Sequence, residues 1–126
     1  KQLMSMDRKT QGREMQKIGA APEWAVGSPQ AITTDGKILI ASNTGSQLGA
    51  YAYGAAHVVF VTGTQKIVKD LDAAMDRIYN YCLPKESERA QQAYGQPSHV
   101  SKILEINKEV FPNRITVILV KENVGV

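Results

Sequence analysis

Two uninterrupted apolar runs constrain this chain most: His57-Val58-Val59-Phe60-Val61 and Ile115-Thr116-Val117-Ile118-Leu119-Val120. Neither alternates apolar with polar residues, as a strand with one wet face would. Continuous β-branched runs of this length typify strands of a parallel sheet covered on both faces. Parallel neighbours need a long crossover between them, and the stretch from Thr62 to Arg114 supplies one. The two runs are therefore predicted to be parallel neighbours in one sheet.

Between them the period changes. Ile67, Leu71, Ala74, Met75, Ile78 and Cys82 recur at spacings of three and four, which predicts a helix over Ile67–Tyr81 with one apolar stripe. Lys69, Asp70, Asp72, Asp76 and Arg77 fall mainly on its other side, and Asp70, Asp72 and Asp76 read as a solvated face in preference to a carboxylate pair. Pro84 suits a helix start, with Glu86 and Glu88 near the positive end of the dipole. A second helix is predicted over Ser87–Tyr94, broken by Gly95-Gln96-Pro97. Ile103, Ile106 and Val110 predict a third helical stretch within Ser98–Val110.

Upstream, Lys9–Ala21 reads as a helix ended by Pro22. The apolar runs Trp24–Ile32 and Lys37–Ala41 flank Asp35-Gly36, a hairpin signal because Gly supplies positive φ in the turn. Pro29 predicts an edge or a bulge in the first arm. Leu48, Ala52 and Ala55–Ala56 line one side of a short helix that Gly54 ends. The sum predicts an α/β layered sheet with buried parallel strands flanked by helices, plus a β-hairpin. There is no internal repeat and no low-complexity segment.

Composition narrows the function classes. The 126 residues are 43% hydrophobic and 21% charged, as in one ordinary globular domain. No apolar run is long enough for a transmembrane helix, and the polar start Lys1–Arg13 has no signal-peptide character. The net charge of +3 is scattered along the chain, without the dense basic face of a nucleic-acid binder. The single cysteine, Cys82, forms no internal disulfide, which suits a reducing cytoplasm. Beginning at Lys1 inside a polar segment, the chain reads as a fragment lacking an N-terminal portion.

Ser42–Gly49 is the leading candidate for a site. Small residues between a strand and a helix let backbone approach a ligand, and free N–H groups at a helix start attract anions. Asn43, Thr44, Gly45, Ser46 and Gln47 are the candidate ligand-binding residues, the N–H groups of Thr44–Gln47 meeting an anion and the Asn43 and Ser46 side chains adding bonds. A tight turn with a Ser or Asn cap is the equal competitor. Thr62 and Gly63, after the first buried strand, form a second candidate rim, against a simple turn. Lys66 beside them is expected at the surface. His57 and His99 lack a second ligand at metal spacing, so no metal centre is expected. Cys82 on the apolar stripe reads as a buried inert thiol. No catalytic constellation appears.

Several segments together carry a family likeness. Gln30-Ala31-Ile32-Thr33-Thr34-Asp35-Gly36, Asn43-Thr44-Gly45-Ser46, His57–Gly63, Lys66–Leu71 and Arg114–Val120 with its Glu122–Val126 tail resemble, in order and spacing, the lactate-utilisation (LUD) domain family. The likeness spans Pro22 to Val126. It implies a fold similar to the sugar-phosphate isomerase and CoA-transferase superfamily, with the N-terminal part of the family domain missing. It implies a link to bacterial L-lactate oxidation to pyruvate within a multi-protein system. It also implies a small anionic metabolite or cofactor at the Asn43–Ser46 loop, and contacts with copies of itself or with partner subunits. Relatives often carry a cysteine-rich stretch before the last strand. Pro84–Pro112 has no cysteine, which argues against an iron–sulfur role. The competing reading is a non-enzymatic assembly subunit acting through protein–protein contacts.

Overall fold

The computed structural model describes residues 5–126; the first residues of the polar start lie outside them. In chain order the elements are α1 (Arg8–Ala20), β1 (Trp24–Gly27), β2 (Ala31–Thr33), β3 (Ile38–Ser42), a π-helical turn (Ala50–Gly54), β4 (His57–Gly63), β5 (Ile67–Val68), α2 (Leu71–Arg77), a second π turn (Ile78–Cys82), α3 (Leu83–Tyr94), β6 (Lys102–Ile106) and β7 (Ile115–Val120).

β4 and β7 lie side by side and parallel, from Val58 opposite Ile115 to Gly63 opposite Val120. β1 pairs with the other edge of β4, also parallel. All three strands of this sheet thus end along one edge, at Gly27, Gly63 and Val120. The second sheet has the order β5-β2-β3-β6 and is mixed. Its β2–β3 hairpin turns at Asp35-Gly36, with Gly36 at φ 96°. Hydrogen bonds from Lys37 and Thr33 fasten the Asp35 carboxyl to the turn and hold it below the ordinary carboxylate range.

The sheets pack face to face. Ile38 and Ile40 of β3 meet Val58 and Phe60 of β4, with Ala50, Tyr51 and Ala55 closing one end. Leu39 points the other way, into a second cluster with Ala31, Ala74 and Ile78 under α2. β3 is buried on both faces for this reason. The parallel sheet is not covered on both faces as its apolar runs led one to expect: Trp24 is 59% and Val26 69% exposed, Val61 and Ile118 share their outward side, and at the edge strand β7 Val117 and Leu119 are exposed on the other side too, because no described element packs there. Trp24 and His57 stack there, ring centres 4.3 Å apart.

Several sequence expectations change. Trp24–Ile32 is not one strand: Ser28-Pro29-Gln30 breaks it, and its halves join different sheets. Ile67–Val68 is a strand beside β2, not the start of a helix. The helix begins at Leu71, where the Asp70 side chain accepts from Ala73 N at 2.9 Å. From there the helical path runs unbroken through Pro84 to Tyr94. The π turn places its last bond from Leu83 N to Ile78 O, so Pro84 stands in the first turn of α3, where its missing N–H costs little. The stretch expected to be helical over Ser98–Val110 holds instead β6, antiparallel to β3 from Ile38 opposite Ile106 to Ser42 opposite Lys102. In the short helix before β4, Ala50, Tyr51 and Ala55 turn inward, while Ala52 and Ala56 are exposed.

Arg114 ties this turn down. Buried just before β7, its guanidinium donates to Ala50 O at 2.8 Å, Tyr51 O at 3.0 Å and Ala55 O at 2.9 Å, and it pairs with Glu109 at 2.6 Å. A helix end leaves its last carbonyls without partners, and a cation there satisfies both the hydrogen bonds and the dipole.

Candidate functional site

The 42–49 loop leaves the end of β3 and is shaped by its own side chains. Ser42 Oγ accepts from Gly45 N at 2.8 Å and donates to Gln47 Oε1 at 3.0 Å. Thr44 Oγ1 accepts from Ser46 N at 3.2 Å, and Leu48 N donates to Gly45 O at 3.1 Å. The Gly45 and Ser46 N–H groups, expected to meet a ligand, are thus engaged within the loop. Gly45 sits at φ 85°, a conformation side-chain-bearing residues rarely adopt, and a Cβ there would lie 2.8 Å from Lys102 Cδ. The segment leading into β6 braces the loop from outside: Ser101 N donates to Ser42 O at 3.1 Å and Lys102 Nζ to Thr44 O at 2.9 Å.

Beside the loop lies a groove of about 560 Å³, within the usual range for small-molecule sites. Ser42, Asn43 and Gln47 form one wall. The opposite wall is α3, which contributes Glu86, Arg89 and Tyr94, and His99 stands at the return segment. Ser87 Oγ donates to Ser98 O at 3.1 Å and holds that segment against α3. Arg89 pairs with Glu86 at 2.9 Å, one turn away, and remains largely exposed. Cys82 lies on the floor of the groove, and burial raises its thiol pKa, which leaves it protonated and unreactive.

Thr62 and Gly63 do not line this groove. They end β4 in the other sheet, where Thr62 is buried and Gly63 approaches the 122–126 segment so closely that a Cβ would lie 2.5 Å from Glu122 O. The two candidate rims thus lie in different sheets. The sequence predicts Lys66 at the surface, whereas the structure buries it to 5% exposure. The single 3₁₀ turn Thr64–Lys66 folds the side chain back under the sheet edge, where its ammonium donates to Ser28 Oγ at 2.8 Å. Burial, then the Arg77 charge, lowers the Lys66 pKa below 10.5. The α3 wall and His99 were missed, because no local motif joins them to residues some fifty positions earlier. Asp76, read as solvated face, accepts from Asn80 at 2.7 Å.

Among the described residues, no group of three or more His, Cys, Asp or Glu side chains could hold a metal ion. No helix among them is long and apolar enough to cross a membrane. No curated protein and no solved structure matches the chain. A family model described as the LUD domain matches residues 2–120. That match covers nearly the whole sequence, and the chain belongs to the LUD domain family.

Proposed function

We propose that this chain binds a small anionic metabolite or cofactor in the groove between the 42–49 loop and α3, as its part in bacterial L-lactate utilisation, the oxidation of lactate to pyruvate. Asn43 and Gln47 supply amide donors and acceptors, Arg89 supplies the positive charge, and Thr44, Gly45 and Ser46 hold the loop that presents them. One observation carries the reading: the groove is of small-molecule size, and the cation Arg89 and the uncharged polar Asn43 and Gln47 all line it. In the free chain Glu86 neutralises Arg89, and an incoming anion competes with that carboxylate for the guanidinium. Membership in the LUD domain family supports the link to lactate utilisation. The reading sets the protein in the cytoplasm, where its lone thiol stays reduced.

A thermal-shift panel of lactate, pyruvate, sugar phosphates, nucleotides, CoA and flavins tests it. A ligand at one hundred times its dissociation constant stabilises the fold by about 2.7 kcal/mol. The expected result is a clear Tm rise with at least one compound, lost in Asn43→Ala/Gln47→Ala and reduced in Arg89→Ala. A rise that survives all these substitutions removes the groove from the account.

The uncovered face of the parallel sheet favours a second reading, a non-enzymatic subunit acting through contacts with its own copies or with partner proteins. Parallel sheets normally have both faces covered, and Trp24, Val26, Val61 and Ile118 form an apolar surface without a layer over it. This reading expects the purified chain to sediment as a dimer or larger at high concentration, and Val61→Lys to shift it toward monomer. A monomer at every concentration speaks against self-association.

A further inference from the structure

The carboxyl edge of the parallel sheet holds two cations that, among the described residues, form no ion pair. Lys66, 5% exposed, gives its ammonium to the Ser28 hydroxyl at 2.8 Å. Among the described residues no carboxylate forms an ion pair with it. Arg77, on α2, reaches the same short segment, Ser28–Gln30, that holds the Lys66 ammonium. Its Nε donates to Gln30 O at 2.9 Å, while its Nη2 is buried with no acceptor. Buried cations are normally paired, because leaving water uncompensated is costly. The Arg77 guanidinium lies over the Tyr81 ring, 4.7 Å from its centre, and two neighbouring cations, one with an unused donor, form an arrangement that an anion would complete.

The surroundings suit a ligand. In open α/β sheets, ligands settle beyond the carboxyl ends of parallel strands. Here three such ends converge: Ser28 follows β1, Lys66 follows β4, and the 122–126 segment follows β7. That segment lies over the ammonium. Gly125, at φ 72°, brings backbone so near that a Cβ there would be 3.3 Å from Lys66 Nζ. Gln65 Nε2 holds the segment through Val124 O at 2.6 Å, and Cys82 touches Val126 O at 3.8 Å. Ser28 is exposed, so the solvent side of the Lys66 ammonium lies beside this hydroxyl.

We propose that Lys66 and Arg77 form a second anion site, adjoining the groove at Gln30 and Cys82 but not sharing its polar walls, that takes one compact oxyanion group, a carboxylate or a phosphate. Lys66 supplies charge, Arg77 Nη2 supplies the unused N–H, and Ser28, which accepts from Lys66, gives its own O–H to the anion. None of the groove residues Asn43, Gln47 and Arg89 takes part.

Isothermal titration of the whole chain with inorganic phosphate, and separately with acetate, tests this. Saturable binding of one or both is expected, and which anion binds identifies the source of the oxyanion. Lys66→Met should weaken binding about ten-fold or more, the loss of one charged hydrogen bond. Lys66→Met exchanges a buried charge for an apolar side chain of similar length, so the fold is retained; Arg77→Gln gives the same test without touching Lys66. Asn43→Ala should leave the Lys66-dependent part of both titrations in place. Affinity should fall as pH rises through the Lys66 pKa, which lies below 10.5 with Arg77 and Cys82 as its charged and titratable neighbours, and Lys66→Met should lack that dependence. No saturable binding of either anion overturns the proposal. So does binding that survives both cation variants, or binding lost only in Asn43→Ala, which would place the anion in the groove.

Discussion

Arg114→Met destabilises the chain by about 3–5 kcal/mol, the usual result of removing one partner of a buried ion pair. The cause is specific. Arg114 is 6% exposed and serves three backbone carbonyls, of Ala50, Tyr51 and Ala55, as well as Glu109. Methionine keeps the aliphatic stem and leaves all four acceptors without this donor, in a place water reaches poorly. Arg114→Lys restores little, because an ammonium cannot span four acceptors that a planar guanidinium reaches together. The loss should appear in urea denaturation as a lower midpoint at similar slope, and in heating as a Tm fall of roughly 10 °C or more. A change below about 1 kcal/mol would mean that the carbonyls of the π turn find other donors and that Arg114 is not the tie between that turn and β7.

Phe60→Ala is the second large effect, at about 3–5 kcal/mol. Phe60 is fully buried and sits where the two sheets meet, among Ile38, Ile40, Val58 and Ala55. Its ring meets Tyr51 edge-on, with centres 5.0 Å apart. Alanine there leaves a cavity that two sheets cannot close without shifting against each other. The neighbour gives the contrast. Val61 lies on the uncovered face, and Val61→Ala should change stability by about 0.5 kcal/mol or less in the monomer. Comparable losses at both positions would show that the outer face is covered in solution; this would favour the assembly reading. Denaturant melts of the two variants, at low and high protein concentration, separate these cases.

The sequence carried the parallel pairing and the hairpin plainly, since both rest on local signals. The His57–Val61 and Ile115–Val120 runs are rich in β-branched residues, and Asp35-Gly36 meets the backbone demand of its turn. What failed depended on distant partners. Lys102–Ile106 has residues at helical spacing, but β3 presents an open edge whose backbone groups need a ladder, and that pairing wins. Ile67–Val68 likewise fits a helical stripe and is drawn instead to the edge of β2. Pro84 looked like a boundary because proline breaks an α-helix, yet a π turn just before it absorbs the missing bond. The loop wall of the groove was legible as a run of small polar residues. Its α3 wall was not, because Glu86, Arg89 and Tyr94 come to the groove only through packing of α3 and the 96–100 return. Lys66 shows the same limit from the other side: a lysine after a strand is usually solvated, and only the three-strand edge reveals its burial.

The most direct test of the groove is an amide NMR titration of the whole chain with the compounds of the thermal-shift panel. The account predicts saturable shifts clustered at Asn43–Gln47 on the loop and at Glu86–Val100 on the opposite wall, from at least one anionic compound. Saturable binding with those amides unmoved would contradict it.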